Sequence, residues 1–415
     1  MDRAKRYIKQ WLRWSERYTK TDMVYVASGS FWVAVRSGGV MVISLGSMTA
    51  FAHLATQELY GEYQYVLSMI GLMFIFGLPG MKSALVRSVA RGYEGSLSAA
   101  SKETFLWSGM ATLVLGGVSG WYVFQGNTEL GAVFALAALA FPLKGAVQLF
   151  VQHWEGRQQF GVWSISYIVF QFVTMGSVVT ALFFTDSLVT IFALFFGAQI
   201  IAGSALYIVA VRSRKNNDVD PGLISFSRHL SVMSVLGTIA GRIDRIILWH
   251  FMGPIDLAVY SFARDPVNKV QGALPIQTLA LPKLSRNRVD SPGRKKKVFQ
   301  KIIMLFAVTV PLAGVVALGA PFVYAILFPQ YTEAVQYIPL LTVPIMLLPL
   351  SILGSSLTAE MKTQSMYITR TVVPIVTIVL FLILVPLAGI WGVIFSVIIS
   401  QVLSHMLSLY FFWRM

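Results

Sequence analysis

The chain contains no cysteine. Disulfides, thiolate metal sites and cysteine nucleophiles are therefore excluded, although this does not locate a compartment. Charge is also scarce: 12% of the residues are charged, against about 25% in soluble domains. Acidic residues are scarcer still, 18 against 33 Lys and Arg, which leaves a formal charge of +15. No Walker-type phosphate loop, metal-ligand spacing or Ser-His-Asp arrangement can be found. ATP hydrolysis is therefore not expected, no cofactor or metal is expected, and the chain does not read as an enzyme. The first apolar run is long and lacks a small-residue cleavage pattern, so no cleavable signal peptide is expected.

Long apolar runs are what the chain has in abundance. Its 415 residues are 56% hydrophobic, and the mean hydropathy is +0.68. These values describe an all-α polytopic membrane protein. The positive charge does not point to nucleic acid, because most basic residues sit in short connections between apolar runs. Residues 1–22 hold Arg3, Lys5, Arg6, Lys9, Arg13, Arg17 and Lys20, with Tyr7, Trp11, Trp14 and Tyr18 at helical spacing. This pattern predicts an amphipathic helix lying in a membrane interface.

Twelve spans of ~20 apolar residues can be placed, roughly at 25–53, 60–78, 104–124, 130–151, 162–184, 188–211, 230–251, 257–281, 302–327, 334–357, 367–385 and 390–412. The second ends at Gly77-Leu78-Pro79-Gly80, a predicted break, followed by an amphipathic extension over 81–91. Lys and Arg outside the spans all fall on one side: the N-terminal tail, the connections after even-numbered spans, and Arg414. The opposite turns carry Glu58, Glu62, Glu129, Asp186, Asp256 and Glu333 instead. Both termini are therefore expected in the cytoplasm. Membrane lipids are expected partners, with Arg294-Lys295-Lys296-Lys297 meeting anionic headgroups.

Weak internal matches recur in order. His53 and Tyr63 match His250 and Tyr260, and Pro79 matches Pro275. Glu155, Arg157 and Gln159 match Glu360, Lys362 and Gln364, and Tyr207 matches Tyr410. Two six-helix lobes over 23–212 and 223–415 are expected, joined by a linker at 213–222. Each half has an even number of spans, so the repeat is parallel, about an axis along the membrane normal.

The candidate site residues are charges placed where lipid-spanning helices should have none. A charge at mid-membrane costs on the order of 2.5–3.5 kcal/mol on insertion scales. Span seven carries Arg242, Asp244 and Arg245, the two arginines being three residues apart on one face. Arg36 lies in span one, Lys144 in span four, and Arg264, Asp265 and Lys269 in span eight. Two readings of the acids stay open. Asp244 is either a structural counter-ion between helices or a residue answering a coupling ion, and Asp265 either neutralises Lys269 four residues on or stays free for such an ion. The surplus is cationic and suits an anion such as a phosphate or pyrophosphate, which arginine matches with paired hydrogen bonds. Gln148, Gln152, Gln171, Gln199, Gln401 and His405 read as interhelical hydrogen-bond partners. His53 and His250 read as packing residues.

Several stretches carry a resemblance: Ala27-Ser28-Gly29-Ser30-Phe31-Trp32, Tyr60-Gly61-Glu62-Tyr63, Arg242 to Leu248, Val259-Tyr260-Ser261-Phe262-Ala263, Leu281-Pro282-Lys283-Leu284-Ser285, and Leu387-Ala388-Gly389-Ile390-Trp391-Gly392. With them the chain resembles, from residue 24 onward, the Wzx-type polysaccharide and oligosaccharide flippases. These belong to the multidrug/oligosaccharidyl-lipid/polysaccharide exporter superfamily, beside the lipid II flippases and the MATE drug exporters. Ala258 departs from the glycine common in that family. The resemblance implies a two-lobed fold with a central cavity. It implies alternating-access transfer of polyprenyl-phosphate- or pyrophosphate-linked sugars across the cytoplasmic membrane. Arg36, Arg242, Arg245 and Arg264 would bind the phosphates, Lys269 and Lys144 would assist, and Asp244 and Asp265 would serve as coupling or counter-ion groups. Lipid-linked glycan is the implied partner, with other membrane proteins of polysaccharide assembly. A cation-coupled MATE-like exporter should show more acids in its spans. A membrane glycan polymerase or ligase should show larger outer loops than these.

Overall fold

The structure is a computed structural model that describes residues 23–274, 294–359 and 363–414. The amphipathic segment 1–22, Pro275, Leu281–Ser285 and Glu360–Lys362 lie outside the described residues. Of the basic cluster, the Lys296 side chain is described, and it is exposed.

Every regular element among the described residues is helical. The first half comprises α1 (Met23–Leu54), α2 (Gln57–Met73), α3 (Met81–Ala90), α4 (Ser96–Phe124), α5 (Thr128–Val147), α6 (Phe150–Gly156), α7 (Phe160–Phe184) and α8 (Leu188–Arg212). The second comprises α9 (Leu223–Ala240), α10 (Ile243–Met252), α11 (Pro254–Ala273), α12 (Arg294–Leu327), α13 (Ile338–Leu341), α14 (Val343–Leu347), α15 (Ser351–Ala359) and α16 (Thr363–Trp413). Short 3-10 turns continue α2 and flank α13 to α15.

Eight helices among the described residues are long and apolar enough to cross a membrane, or nine if the bent pair α2 and α3 is one span. This is a coarser count than the twelve spans expected. Two causes are visible. The α11 helix carries Arg264, Asp265 and Lys269, which lower its hydropathy. The α16 helix is one continuous run except at Gly389, where φ is 54° and ψ is −128°. Such a backbone is open to glycine and strained for other residues. Leu113, Phe124, Leu318 and Phe322 stand exposed on the outside of the bundle, as a lipid-facing surface requires.

The turns are short and capped. Thr56 Oγ1 accepts from Leu59 N–H at 3.2 Å. Asn127 Oδ1 accepts from Leu130 N–H at 3.0 Å. Glu129 reaches across to accept from Leu188 N–H at 2.9 Å. Each supplies an acceptor to a helix N-terminus that lacks an intrahelical partner. Within the first half of the chain, α4 pairs with α5, α1 with α7, and α5 and α7 with α8. Polar bonds lock these pairs, including Thr112 Oγ1 to the Ala138 carbonyl at 2.9 Å and Ser164 Oγ to the Trp32 carbonyl at 2.8 Å.

The two halves meet along α2 and α11. Their approach is close because position 61 is glycine: a Cβ there would collide with the Pro254 carbonyl. Around this crossing lies an aromatic cluster. Tyr60 packs on Phe51 and Phe262 with ring centroids 5.0 and 4.6 Å away. Phe262 stacks on Tyr331 at 3.6 Å. All four rings are almost fully buried.

At the other end, the segment expected as a plain linker is a hydrogen-bonded strap. Glu94 accepts from Lys215 N–H at 2.7 Å. Asn216 donates to the Gly92 carbonyl at 2.8 Å, and Ser88 donates to Asp220 at 2.7 Å. Arg157 pairs with Glu94 at 3.4 Å and donates to the Ser213 carbonyl at 2.9 Å. Asp220 lies outside the apolar helices, and the bonds from Ser88 and the Gly222 N–H hold its carboxyl below the usual range.

Candidate functional site

The stretch 230–251, expected as one helix, is two. The α9 helix ends at Gly241, and Arg242 stands at the start of α10 with φ −130° and ψ −22°. In the first half the chain breaks between α2 and α3, at Gly77–Gly80, where Leu78 takes φ 52°, and α2 and α3 bend by 59°. A leucine in the left-handed region costs roughly 1–2 kcal/mol, so the surrounding packing holds this bend in place.

The break at Gly241 opens onto a cavity of about 520 Å³ between the halves. Its wall includes Arg242, Asp244 and Arg245 from α9–α10, and Arg264, Asp265, Asn268 and Lys269 from α11. From the first half come Ser44, Ser47, Met48, Tyr60, Tyr63 and Gln64. Four of the six expected cationic residues therefore share one cavity.

The acids are paired across helices. Asp244, 1% exposed, forms an ion pair with Arg264 and accepts from the Tyr260 hydroxyl at 2.8 Å. Arg264 also donates to Tyr260. Asp265 pairs with Arg245, and Arg245 additionally donates to Gln64 Oε1 at 2.7 Å. Gln64 in turn donates to the Tyr60 hydroxyl at 2.6 Å. This overturns the expected Asp265–Lys269 neutralisation within one helix: the guanidinium of Arg245 reaches Asp265 from the facing helix, and Lys269 points to Met48 Sδ, 3.3 Å away. Two cations are thereby neutralised by two acids. Arg242 and Lys269 make no ion pair among the described residues, so the wall keeps a positive surplus. Arg242 lies against α2, its Nε 2.9 Å from where a Cβ on Gly71 would stand.

Two expected site residues fall elsewhere. Arg36 lines an adjoining cavity of about 240 Å³ with Ser37, Tyr167 and Gly272, and Lys269 belongs to both walls. The Arg36 guanidinium lies 3.7 Å from the Trp163 ring centroid and 5.3 Å from that of Tyr167. Arginine on an aromatic face is attracted by the ring quadrupole. Lys144 lines neither cavity. It is 5% exposed, and its ammonium sits among the rings of Phe74, Phe141 and Phe196 at 5.5, 5.9 and 5.6 Å. The helical face that carries Lys144 turns away from both cavities. Gln148 donates to Gln199 at 3.3 Å, an interhelical bond of the kind expected for those two. Sequence reasoning missed Tyr260, Gln64, Trp163 and Tyr167 as partners of the arginines, because neutral polar and aromatic residues in a span carry no charge signal.

The wall can hold an anion through Arg242 and Lys269, with Arg245 and Arg264 fixed in place by their acids and still turned toward the cavity. It contains no nucleophile–base pair. Among the described residues there is no group of three or more His, Cys, Asp or Glu able to hold a metal ion.

No curated protein sequence matches this chain. Solved structures are similar in fold. The lipid II flippase MurJ in an inward closed conformation is 14% identical, with 91% of this chain and 86% of that chain covered and a TM-score of 0.69. An inward-facing multidrug resistance MATE family transporter of the MOP superfamily is also 14% identical, covering 90% and 94% at a TM-score of 0.64. A MOP superfamily transporter from Pyrococcus furiosus Vc1, described by a binding pocket of reverse polarity, is 11% identical, covering 94% and 95% at 0.64. These likenesses establish a MurJ- and MATE-like helical fold. The sequence model of the polysaccharide biosynthesis protein family matches residues 26–288, and the chain belongs to that family.

Proposed function

We propose that the chain is a flippase. It carries polyprenyl-phosphate- or pyrophosphate-linked oligosaccharide or polysaccharide precursors across the cytoplasmic membrane by alternating access. The carrying observation is the positive surplus of the 520 Å³ cavity, left by Arg242 and Lys269 once Asp244 and Asp265 are paired. An anionic headgroup would enter this cavity while its lipid tail stays in the bilayer. Arg242 and Lys269 would grip the phosphates, and Arg245 and Arg264 would present spare N–H groups. Arg36, on its aromatic platform beside Lys269, would meet a second part of the headgroup. Lys144 is not given a role in the central cavity.

Counting α4, α11 and the two parts of α16 as spans, together with the bent α2–α3 pair, supports twelve spans in two lobes. With the basic connections inside, both termini are cytoplasmic. The aromatic cluster of Tyr60, Phe262 and Tyr331 then closes the outer end. A cationic drug is a poor fit to this wall, since it would face unpaired Arg242 and Lys269. The test is a flipping or complementation assay on Arg36→Ala with Arg242→Ala. Loss of transfer with the fold retained supports the cavity assignment, and full activity would sink it.

A further inference from the structure

The bend between α2 and α3 encloses a third cavity, of about 70 Å³, inside the first lobe. One water needs roughly 10–15 Å³ of such space, so the cavity has room for a small polyatomic anion. Its wall includes Lys82, Thr104, Ser108, Gln148 and Gln152, and no carboxylate.

Three observations show a built site. First, the hydroxyls of Thr104 and Ser108 are buried and have no hydrogen-bond partner among the described residues. The two residues are 4% and 0% exposed. A buried hydroxyl without a partner is costly, and both of these lie at the cavity wall. Second, two glycines border the Ser108 hydroxyl. Ser108 Oγ is 3.6 Å from where a Cβ on Gly77 would stand and 3.7 Å from one on Gly145. Third, the charge is all of one sign. The ammonium groups of Lys82 and Lys144 lie 5.2 and 5.5 Å from the same Phe74 ring. Neither forms an ion pair among the described residues. A cation in this space would meet the Lys82 ammonium at the wall. An anion would meet that charge and two free hydroxyl donors.

We infer that this cavity is a second anion site, which takes a single phosphate group. It stands apart from the central cavity, with which it shares no wall residue. The phosphate comes either free in solution or on the headgroup of a lipid. The inference rests on this lobe's own geometry and does not depend on transport.

The test uses the full chain in phosphatidylcholine nanodiscs, carrying Arg242→Gln and Lys269→Gln to remove the free cations of the central cavity. Binding of radiolabelled inorganic phosphate is measured in one arm and of a short polyprenyl monophosphate in the other. One site per chain is expected to remain. Lys82→Gln and Gly145→Val should each weaken it at least tenfold, and Lys82→Arg should keep it, with melting temperatures showing that the variants are folded. Saturation by inorganic phosphate identifies the free anion as a sufficient ligand, and saturation by the polyprenyl compound alone identifies the lipid. No residual binding of either probe overturns the inference, as does residual binding that Lys82→Gln leaves unchanged. Failure of transport with this binding intact would remove the flippase reading and leave the site.

Discussion

Asp244 forms its ion pair with Arg264 on the next helix, and not with Arg242 or Arg245, which flank it in sequence. The pair ties α10 to α11 at the edge of the central cavity, and Tyr260 completes it. Because Asp265 and Arg245 make a second such tie, the two helices are cross-linked by charges of opposite order. This crossed pairing leaves Arg242 and Lys269 as the site's unpaired cations.

Removing one member of the buried pair should therefore destabilise the protein. Breaking such a pair leaves a buried charge and costs about 3–5 kcal/mol. Asp244→Asn should lower the melting temperature in detergent markedly. Asp244→Asn with Arg264→Gln together should recover part of the loss, because no net charge is then stranded. Equal destabilisation by the single and double variants would show that Asp244 acts through something other than this pair.

The unpaired cations should behave in the opposite way. Lys269→Gln is expected to leave the melting temperature nearly unchanged. It should weaken binding of a pyrophosphate-linked lipid roughly tenfold or more, since a charge-assisted hydrogen bond contributes about 1.5–3 kcal/mol and 1.4 kcal/mol is a factor of ten. Titration of the purified protein with the labelled lipid reads this directly.

The contact between the halves depends on one missing side chain. Gly61→Val would drive a methyl group into the Pro254 carbonyl. Overpacking of this kind costs about 1–3 kcal/mol. Reduced yield of folded protein is expected, whereas Gly116→Ala, on an open face of α4, should be silent in the same melting experiment.

The strap at 213–222 should loosen in acid. The folded-state pKa of Asp220 lies below its ordinary value. The ionised group therefore contributes stability above the ordinary carboxylate pKa, and that contribution is lost as pH falls through the lower folded value. Protease cleavage within 213–222 should rise over that acidic window. Ser88→Ala should move the onset to higher pH, and an unchanged onset would detach Asp220 from the strap.

Much of this architecture is legible in the residues, and the exceptions share a cause. Gly77-Leu78-Pro79-Gly80 announces its bend, because proline and glycine are local signals. Gly241 does not, because one glycine is tolerated in a helix. The charges at Arg242, Asp244, Arg245, Arg264, Asp265 and Lys269 can be recognised as site candidates from their cost in a membrane. Their partners cannot, since sequence spacing favours pairing within a helix, as for Asp265 and Lys269, and packing across helices decides otherwise. Lys144 shows the same limit: its place in an apolar run is readable and its direction is not. Arg36 is readable as a buried cation, whereas its Trp163 platform depends on how α1 packs on α7.

Topology is open to a clean experiment because the chain lacks cysteine. Single cysteines at Asn217 and Gln125 should react with impermeant thiol reagent from opposite sides of the membrane, Asn217 from the cytoplasm. Labelling of both from one side would contradict the arrangement of the lobes.

The central claim is that the cationic cavity moves an anionic lipid headgroup. It is tested most directly in proteoliposomes, by following transfer of a polyprenyl-pyrophosphate-linked glycan between leaflets for the unaltered chain and for Arg36→Ala with Arg242→Ala. Transfer by the unaltered chain, reduced at least tenfold in the folded double variant, is the expected result. Equal transfer by both would contradict the account.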